Sequence, residues 1–279
     1  MSKPLDKLRR MGNLKQRIIA GLIGAFIILF SICYSEWTYF ALFFLITYFT
    51  LNEFYNLLRL ADIKPNKAFG ILAGVSIFSV VFLIEKKVID YHFYYLLLPF
   101  LFLLFLFELF QTNEKPFVNI AFTFLGVIYI SIPFALLNVS AFFQDEYNFK
   151  IILGILFLLW ANDIGGYIAG MALGKTKLFF RISPKKTWEG SIGGGLFCLF
   201  TALGLSVFIE DLNTIHWIIV SVIVIVLGSY GDLVESYLKR SLSIKDSSQA
   251  IPGHGGFLDR FDGLLLASPF IAAFIKLFT

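Results

Sequence analysis

Three carboxylates, Asp232, Asp259 and Asp262, stand close to a glycine-rich turn in a chain that has few charges. Asp259 and Asp262 are three residues apart, so on a helix their side chains share one face, with Cβ atoms about 5–6 Å apart. Carboxylates that close repel one another unless a cation sits between them, and oxygen ligands suit Mg²⁺. Asp232 follows Gly231 at the end of the preceding apolar run, where the fold can bring it to the same place. Between them lies Pro252-Gly253-His254-Gly255-Gly256. Closely spaced glycines let backbone N–H groups converge on an anion with no Cβ in the way. Lys239, Arg240, Lys245 and Arg260 surround the turn, and arginine suits bidentate contacts to phosphate. His254 can donate to a phosphate oxygen, pass a proton or make a structural hydrogen bond within the turn. A lone DxxD or GxGG is an ordinary solvated loop. Here residues 236–262 hold three Asp, two Lys, two Arg, one His and three Gly between two greasy segments. That density points to a phosphate and metal site.

A second constellation precedes it. Asn162-Asp163 lies inside an apolar run, followed by Gly165, Gly166 and Gly170. Burying a charge in a membrane helix is expensive, so such an acid is either functional or paired with a neighbour's Lys or Arg. The glycines allow close helix approach. Then comes Ser183-Pro184-Lys185-Lys186-Thr187-Trp188-Glu189-Gly190. Lys185 and Lys186 alone fit a basic loop with an aromatic interfacial anchor; Thr187, Glu189 and the glycines of 190–195 make the stretch more specific. Glu108, near the end of another run, is within reach of an interface.

The elements that must carry these residues are membrane helices. The chain of 279 residues is 58% hydrophobic, has 34 Phe and is 15% charged, against about 25% charged in a soluble domain. Repeated apolar runs of about 20 residues are the length a helix needs to cross a bilayer. The expected spans are 18–34, 37–58, 68–84, 93–110, 117–141, 151–173, 191–209, 215–230 and 264–278. The fold class is therefore an all-α polytopic membrane protein of about nine transmembrane helices. With the N-terminus in the cytoplasm, 19 of the 23 Lys and Arg fall on the cytoplasmic side, as the positive-inside rule requires. The long polar connections 174–190 and 231–263 then face the cytoplasm, and the active site with them. Residues 1–150 form about five spans, a scaffold with expected dimer and lipid contacts. Residues 151–279 form the catalytic region. Cys33 and Cys198 sit in apolar runs without partners at metal-ligand spacing and read as inert core or lipid-facing positions.

The pattern S-x-L-K-R-x4-K-D-x-S-x3-P-G-H-G-G-x-L-D-R-x-D, from Ser236 through Lys239, Arg240, Lys245, Asp246, Pro252, Gly253, His254, Gly255, Gly256, Asp259 and Arg260 to Asp262, resembles the signature of phosphatidate cytidylyltransferases, the CDP-diacylglycerol synthases. SPKKTWEG, Asn162-Asp163 and the run Gly231-Asp232-Leu233-x-Glu235-Ser236 are similar to further blocks of that family. The resemblance covers roughly residues 160–263; before that the match lies only in a set of apolar spans. Two positions depart from it: Ser241 stands where an Asp is expected after the Lys-Arg pair, and Gly263 where a Ser usually follows the last Asp.

The resemblance implies an integral membrane enzyme that makes CDP-diacylglycerol and pyrophosphate from CTP and phosphatidate. It also implies Mg²⁺, with a second cation such as K⁺ as an option, and a homodimer. The residues fit that chemistry. A phosphate monoester would attack the α-phosphorus of a nucleotide in line with departing pyrophosphate, and with two anionic reactants the barrier falls chiefly through metal ions and cationic donors. Asp232, Asp259 and Asp262 would hold the metal, and Lys239, Arg240, Lys245 and Arg260 would neutralise phosphates. The turn at Gly253, Gly255 and Gly256 would donate backbone N–H groups, while Lys185 and Lys186 would bind the lipid headgroup or the nucleotide tail. Asp163 and Asp246 belong to the site without an assigned step. No covalent nucleophile is needed. The rivals are another lipid-phosphate transferase, such as a CDP-alcohol phosphotransferase, whose expected motif is absent, and a transporter using Asp163 and the glycine-interrupted helices, whose expected duplication is absent. The basic residues are dispersed among loops, which argues against nucleic acid. A bacterial inner membrane is the expected location.

Overall fold

The computed structural model describes residues 21–242, 244 and 255–279. These form helices joined by short connections: α1 (Gly21–Tyr34), α2 (Glu36–Leu60), α3 (Lys67–Glu85), α4 (Tyr94–Leu109), α5 (Pro116–Gly126), α6 (Ile132–Ala141), α7 (Phe149–Leu173), α8 (Trp188–Phe208), α9 (Thr214–Ile223), α10 (Ser229–Ser241) and α11 (Leu258–Phe278). A π-helical turn, Val127–Ser131, makes α5 and α6 one continuous rod, and another, Val224–Gly228, does the same for α9 and α10. Pro133 sits just beyond the first of these turns; it lacks an N–H and crowds the preceding carbonyls, so a widened turn there relieves the ladder. Among the described residues this gives nine helical passes, eight of them long and apolar enough to cross a membrane. The chain is an all-α polytopic membrane protein, as its composition predicts.

The apolar rows of these helices meet in one large core, in which Tyr39, Phe43, Phe78, Phe82 and Phe134 are fully or almost fully buried. Some polar groups inside it bond between helices: the Tyr55 hydroxyl donates to the Thr123 carbonyl at 2.7 Å, and the Ser268 hydroxyl to the Pro133 carbonyl at 3.0 Å. Two small antiparallel hairpins lie in the connections. Phe142–Phe143 pairs with Glu146–Tyr147, and Lys177–Phe179 with Ser183–Thr187.

Two boundaries differ from the sequence reading, and both matter. The eighth span was expected to end at residue 230 and the ninth to begin at 264, but helix continues to Ser241 and starts again at Leu258. Hydropathy marks where a helix leaves lipid, while the helix itself ends only where its backbone does. Nothing between Ser229 and Ser241 breaks the ladder, so polar residues there stay helical above the apolar part. Much of the stretch 231–263 is therefore two helix ends side by side. In the same way α8 begins at Trp188, capped by the Thr187 hydroxyl on the Gly190 N–H at 3.2 Å.

Candidate active site

α10 and the N-terminal part of α11 lie side by side, and they come closest at Gly231. A Cβ there would run into the Asp262 carbonyl and the Gly263 Cα, backbone atoms that cannot swing away. With hydrogen in that place the helices touch, and acids from both converge. Carboxylate oxygens of Asp232, Glu235 and Asp262 lie within 4.8 Å of one another. Three and four residues apart along a helix is one face, so Asp232 and Glu235 point together, and Asp259 and Asp262 do the same from across.

Two lysines hold this cluster. Lys186, in the hairpin strand Ser183–Thr187, reaches Asp232 at 2.7 Å and the Ser229 carbonyl at 2.9 Å. Lys239 lies between Glu235 at 2.6 Å and Asp259 at 2.7 Å. Asp259 also accepts the Gly256 N–H at 3.0 Å, next to Gly255, whose φ of 84° lies in the left-handed region that suits glycine. Asp262 accepts the N–H of Gly263 at 2.7 Å, and the Ser236 hydroxyl donates to Asp232 at 3.3 Å. The converging carboxylates of Asp232, Glu235 and Asp262 bring like charges into one small space. Glu235 is 1% exposed and its Oε1 is buried without a hydrogen-bond partner. Hard oxygen donors converging, with one of them unsatisfied, fit a divalent cation of the Mg²⁺ type.

Asp163 on α7 faces the same mouth. Its charge interacts with those of Lys186, Asp232 and Arg260, and Asp262 in turn feels Asp232, Asp163 and Lys186. Behind it Asn162 donates to the Ser229 hydroxyl at 3.3 Å, tying α7 to the start of α10. Lys185, Arg240 and Arg260, next in sequence to Lys186, Lys239 and Asp259, are exposed. The geometry therefore offers an acid cluster held by two lysines, with exposed cations next to its members in sequence. That arrangement can bind polyphosphate through metal and cationic donors at once.

A family model described as "Cytidylyltransferase family" matches residues 15–278, nearly the whole chain.

The chain belongs to the cytidylyltransferase family.

It is similar to the phosphatidate cytidylyltransferase of Bacillus subtilis, with 31% identity over 278 residues, covering 96% of this chain and 100% of the relative. It is 40% identical over 172 residues to the phosphatidate cytidylyltransferase of Haemophilus influenzae, covering 58% of each chain. The protein of that name in Staphylococcus saprophyticus is 37% identical over 172 residues, 61% of this chain and 64% of the relative. As a cytidylyltransferase the chain is a nucleotidyltransferase enzyme.

Within this cytidylyltransferase the residues singled out from sequence sort by position. Asp232 and Asp262 meet, and Glu235 joins them, though the sequence reading gave it no role. Asp259 stands beside them on Lys239. Lys186 is at the centre, while Lys185 is exposed. Thr187 caps α8, and Glu189 accepts the backbone N–H groups of Lys175 and Thr176 at 3.1 Å, so both shape the hairpin that carries Lys186. Lys245, Asp246, Gly253 and His254 lie outside the described residues. Glu108 does not reach an interface: it is buried, and accepts from Asn113 at 2.6 Å and Asn119 at 3.2 Å.

Two polar residues of the N-terminal half were missed. The Tyr129 hydroxyl, on the π-helical turn Val127–Ser131, is buried without a partner and lies within electrostatic reach of Asp262, Glu235 and Asp232. Glu53, on α2, accepts the N–H of Phe257 at the head of α11 at 2.8 Å. An acid inside an apolar span was the available signal for Glu53. Glu235 could have been found by its place three residues after Asp232. Tyr129, one aromatic among many, carried none.

Proposed function

We propose that this chain is a phosphatidate cytidylyltransferase, transferring CMP from CTP to phosphatidate and releasing pyrophosphate. The observation that carries the reading is the convergence of Asp232, Glu235 and Asp262 between Lys186 and Lys239 at adjoining helix ends. Family membership and relatives of that name support it.

Asp232, Glu235 and Asp262 would hold Mg²⁺, with Asp259 as a further ligand beside them, and a second cation such as K⁺ is part of the same proposal. The ion would supply charge neutralisation at the reacting phosphates and fix their orientation. The chain's own groups do the rest. Lys239 keeps two acids apart and aimed. Lys186 and Asp232 form an ion pair that an incoming phosphate can enter on the lysine side. Lys185, Arg240 and Arg260 draw anionic substrates in, and the Gly255 N–H is a further proposed donor, that of Gly256 being held by Asp259. Asp163 borders the site on the α7 side. Phosphatidate would enter from the cytoplasmic leaflet with its acyl chains left in lipid, which places the site on the cytoplasmic face of a bacterial inner membrane. The assembly we expect is a homodimer.

The test is pyrophosphate release by the purified protein in detergent, supplied with CTP, phosphatidate and Mg²⁺. Turnover that needs all three and collapses in Asp262→Asn and Asp259→Asn is the expected result. Loss in Asp262→Asn alone would remove Asp259 from the ligand set. No turnover from a folded sample across CTP, dCTP and several lipid phosphates would sink the reading.

A further inference from the structure

Glu53 lies about two turns before the end of α2, a span that packs against the core, far from the acidic mouth in sequence and 5% exposed. An ionisable side chain in such a place is costly unless it performs a task. Its single hydrogen bond goes to the backbone of Phe257, 204 residues on, while its other oxygen, Oε1, is buried without a partner. Phe49, one helical turn earlier on α2, stacks its ring on that of Phe257 with centroids 5.2 Å apart and planes 15° from parallel. One face of α2 thus grips one residue twice, by ring and by backbone.

Phe257 is the residue from which α11 starts, and no side chain of its own caps that helix. The N–H before it, of Gly256, is held by Asp259, and that of Phe257 by Glu53. Two consecutive amides at a helix N-terminus are therefore satisfied by two carboxylates, a placement the helix dipole favours. Asp259 and Asp262 project from the first turns after this grip, so a shift of the helix head moves both relative to Lys239 and to Asp232 and Glu235.

We propose that Glu53 is a positioning residue: by holding the Phe257 amide it fixes the head of α11 and so sets Asp259 and Asp262 against α10. Its consequence for metal binding rests on the proposed function; its consequence for the helix does not. The experiment compares the wild-type chain with Glu53→Leu, which removes the acceptor, and Glu53→Gln, which keeps one. Glu53→Asp, with its oxygens withdrawn by one methylene, carries the expectation of the leucine variant in milder form if that variant does not fold. Hydrogen exchange by mass spectrometry follows peptides within 255–263, a Mn²⁺ titration by electron paramagnetic resonance follows the ion, and pyrophosphate release follows turnover.

The expected result for Glu53→Leu is faster exchange confined to the head of α11 and Mn²⁺ affinity about tenfold weaker, in the range for loss of a group that orients ligands. Turnover should be restored in part by excess Mg²⁺, and Glu53→Gln should stay near wild type on all three readouts. Unchanged exchange at 255–263 would overturn the proposal, as would exchange that quickens throughout the helices, which would make Glu53 a packing residue. Local loosening with unaltered Mn²⁺ affinity and turnover would overturn it too. A wild-type chain that neither binds Mn²⁺ nor turns over would sink the cytidylyltransferase reading and leave the exchange data to decide the role of Glu53.

Discussion

Glu108 and Glu235 are both almost wholly buried acids on membrane helices, at 2% and 1% exposure, yet their surroundings differ. Glu108, near the end of α4, is met by the neutral amides of Asn113 and Asn119. Glu235 is met by an ammonium at 2.6 Å on one oxygen, nothing on the other, and two more carboxylates within 4.8 Å. The same contrast runs through the two regions around them. In α2–α6 most of the buried polar groups are neutral, whether bonded, as the Tyr55 hydroxyl to the Thr123 carbonyl, or without a partner, as the hydroxyls of Tyr39, Ser131 and Ser140. At the α10–α11 mouth three carboxylates share one small space. A buried hydroxyl or amide without a partner costs a modest amount, whereas carboxylates crowded together repel one another unless a cation joins them.

This comparison can be broken at four places. The largest effect is expected at Lys239. Replacing it with Met leaves Glu235 and Asp259 facing each other without their shared cation, and breaking a buried pair costs about 3–5 kcal/mol. Thermal and denaturant unfolding in detergent should show the loss, and Lys239→Met combined with Glu235→Gln should recover a large part of it. Full stability in the single variant would mean that the charges at the mouth do not depend on that lysine.

Next comes Asp262→Asn, which preserves shape and removes one charge from the cluster. Turnover should fall on the order of 100-fold, about 2.7 kcal/mol of barrier, with unfolding little altered. Third is Gly231→Ala. Its methyl group would meet the backbone of α11, so the helix ends must part, at a cost of about 1–3 kcal/mol. The Mg²⁺ concentration for half-maximal turnover should rise in parallel, and a rise in that concentration without loss of stability would separate positioning from packing. The smallest effect belongs to Glu108→Gln, which retains an oxygen able to accept from both asparagines. A change below about 1 kcal/mol in unfolding is expected, with no change in turnover. A large loss of activity there would contradict the division between the two regions.

Much of the fold was legible because lipid imposes it. A chain that must satisfy every backbone group inside a bilayer has little choice but helices, so apolar runs locate the spans to within a few residues. Where they failed was at 231–241 and 258–263, because hydropathy reports the solvent of a helix and not its length. Asp232 and Asp262 were legible as acids beside glycines; Glu235 was legible by spacing from Asp232 and Lys239, but its meeting with Asp262 comes from another helix.

The sequence by itself determined the helical class, the number of passes and the residue types gathered near the chain's end, since all three follow from local composition and spacing. Tertiary structure alone decided which acids share a cation-sized space and which share a lysine. It also decided that Lys186 arrives on a hairpin and that Glu53 and Tyr129 reach the same mouth from the other half of the chain. These are contacts between residues tens to hundreds of positions apart, and they depend on how closely α10 and α11 approach at Gly231, a distance that no local pattern encodes.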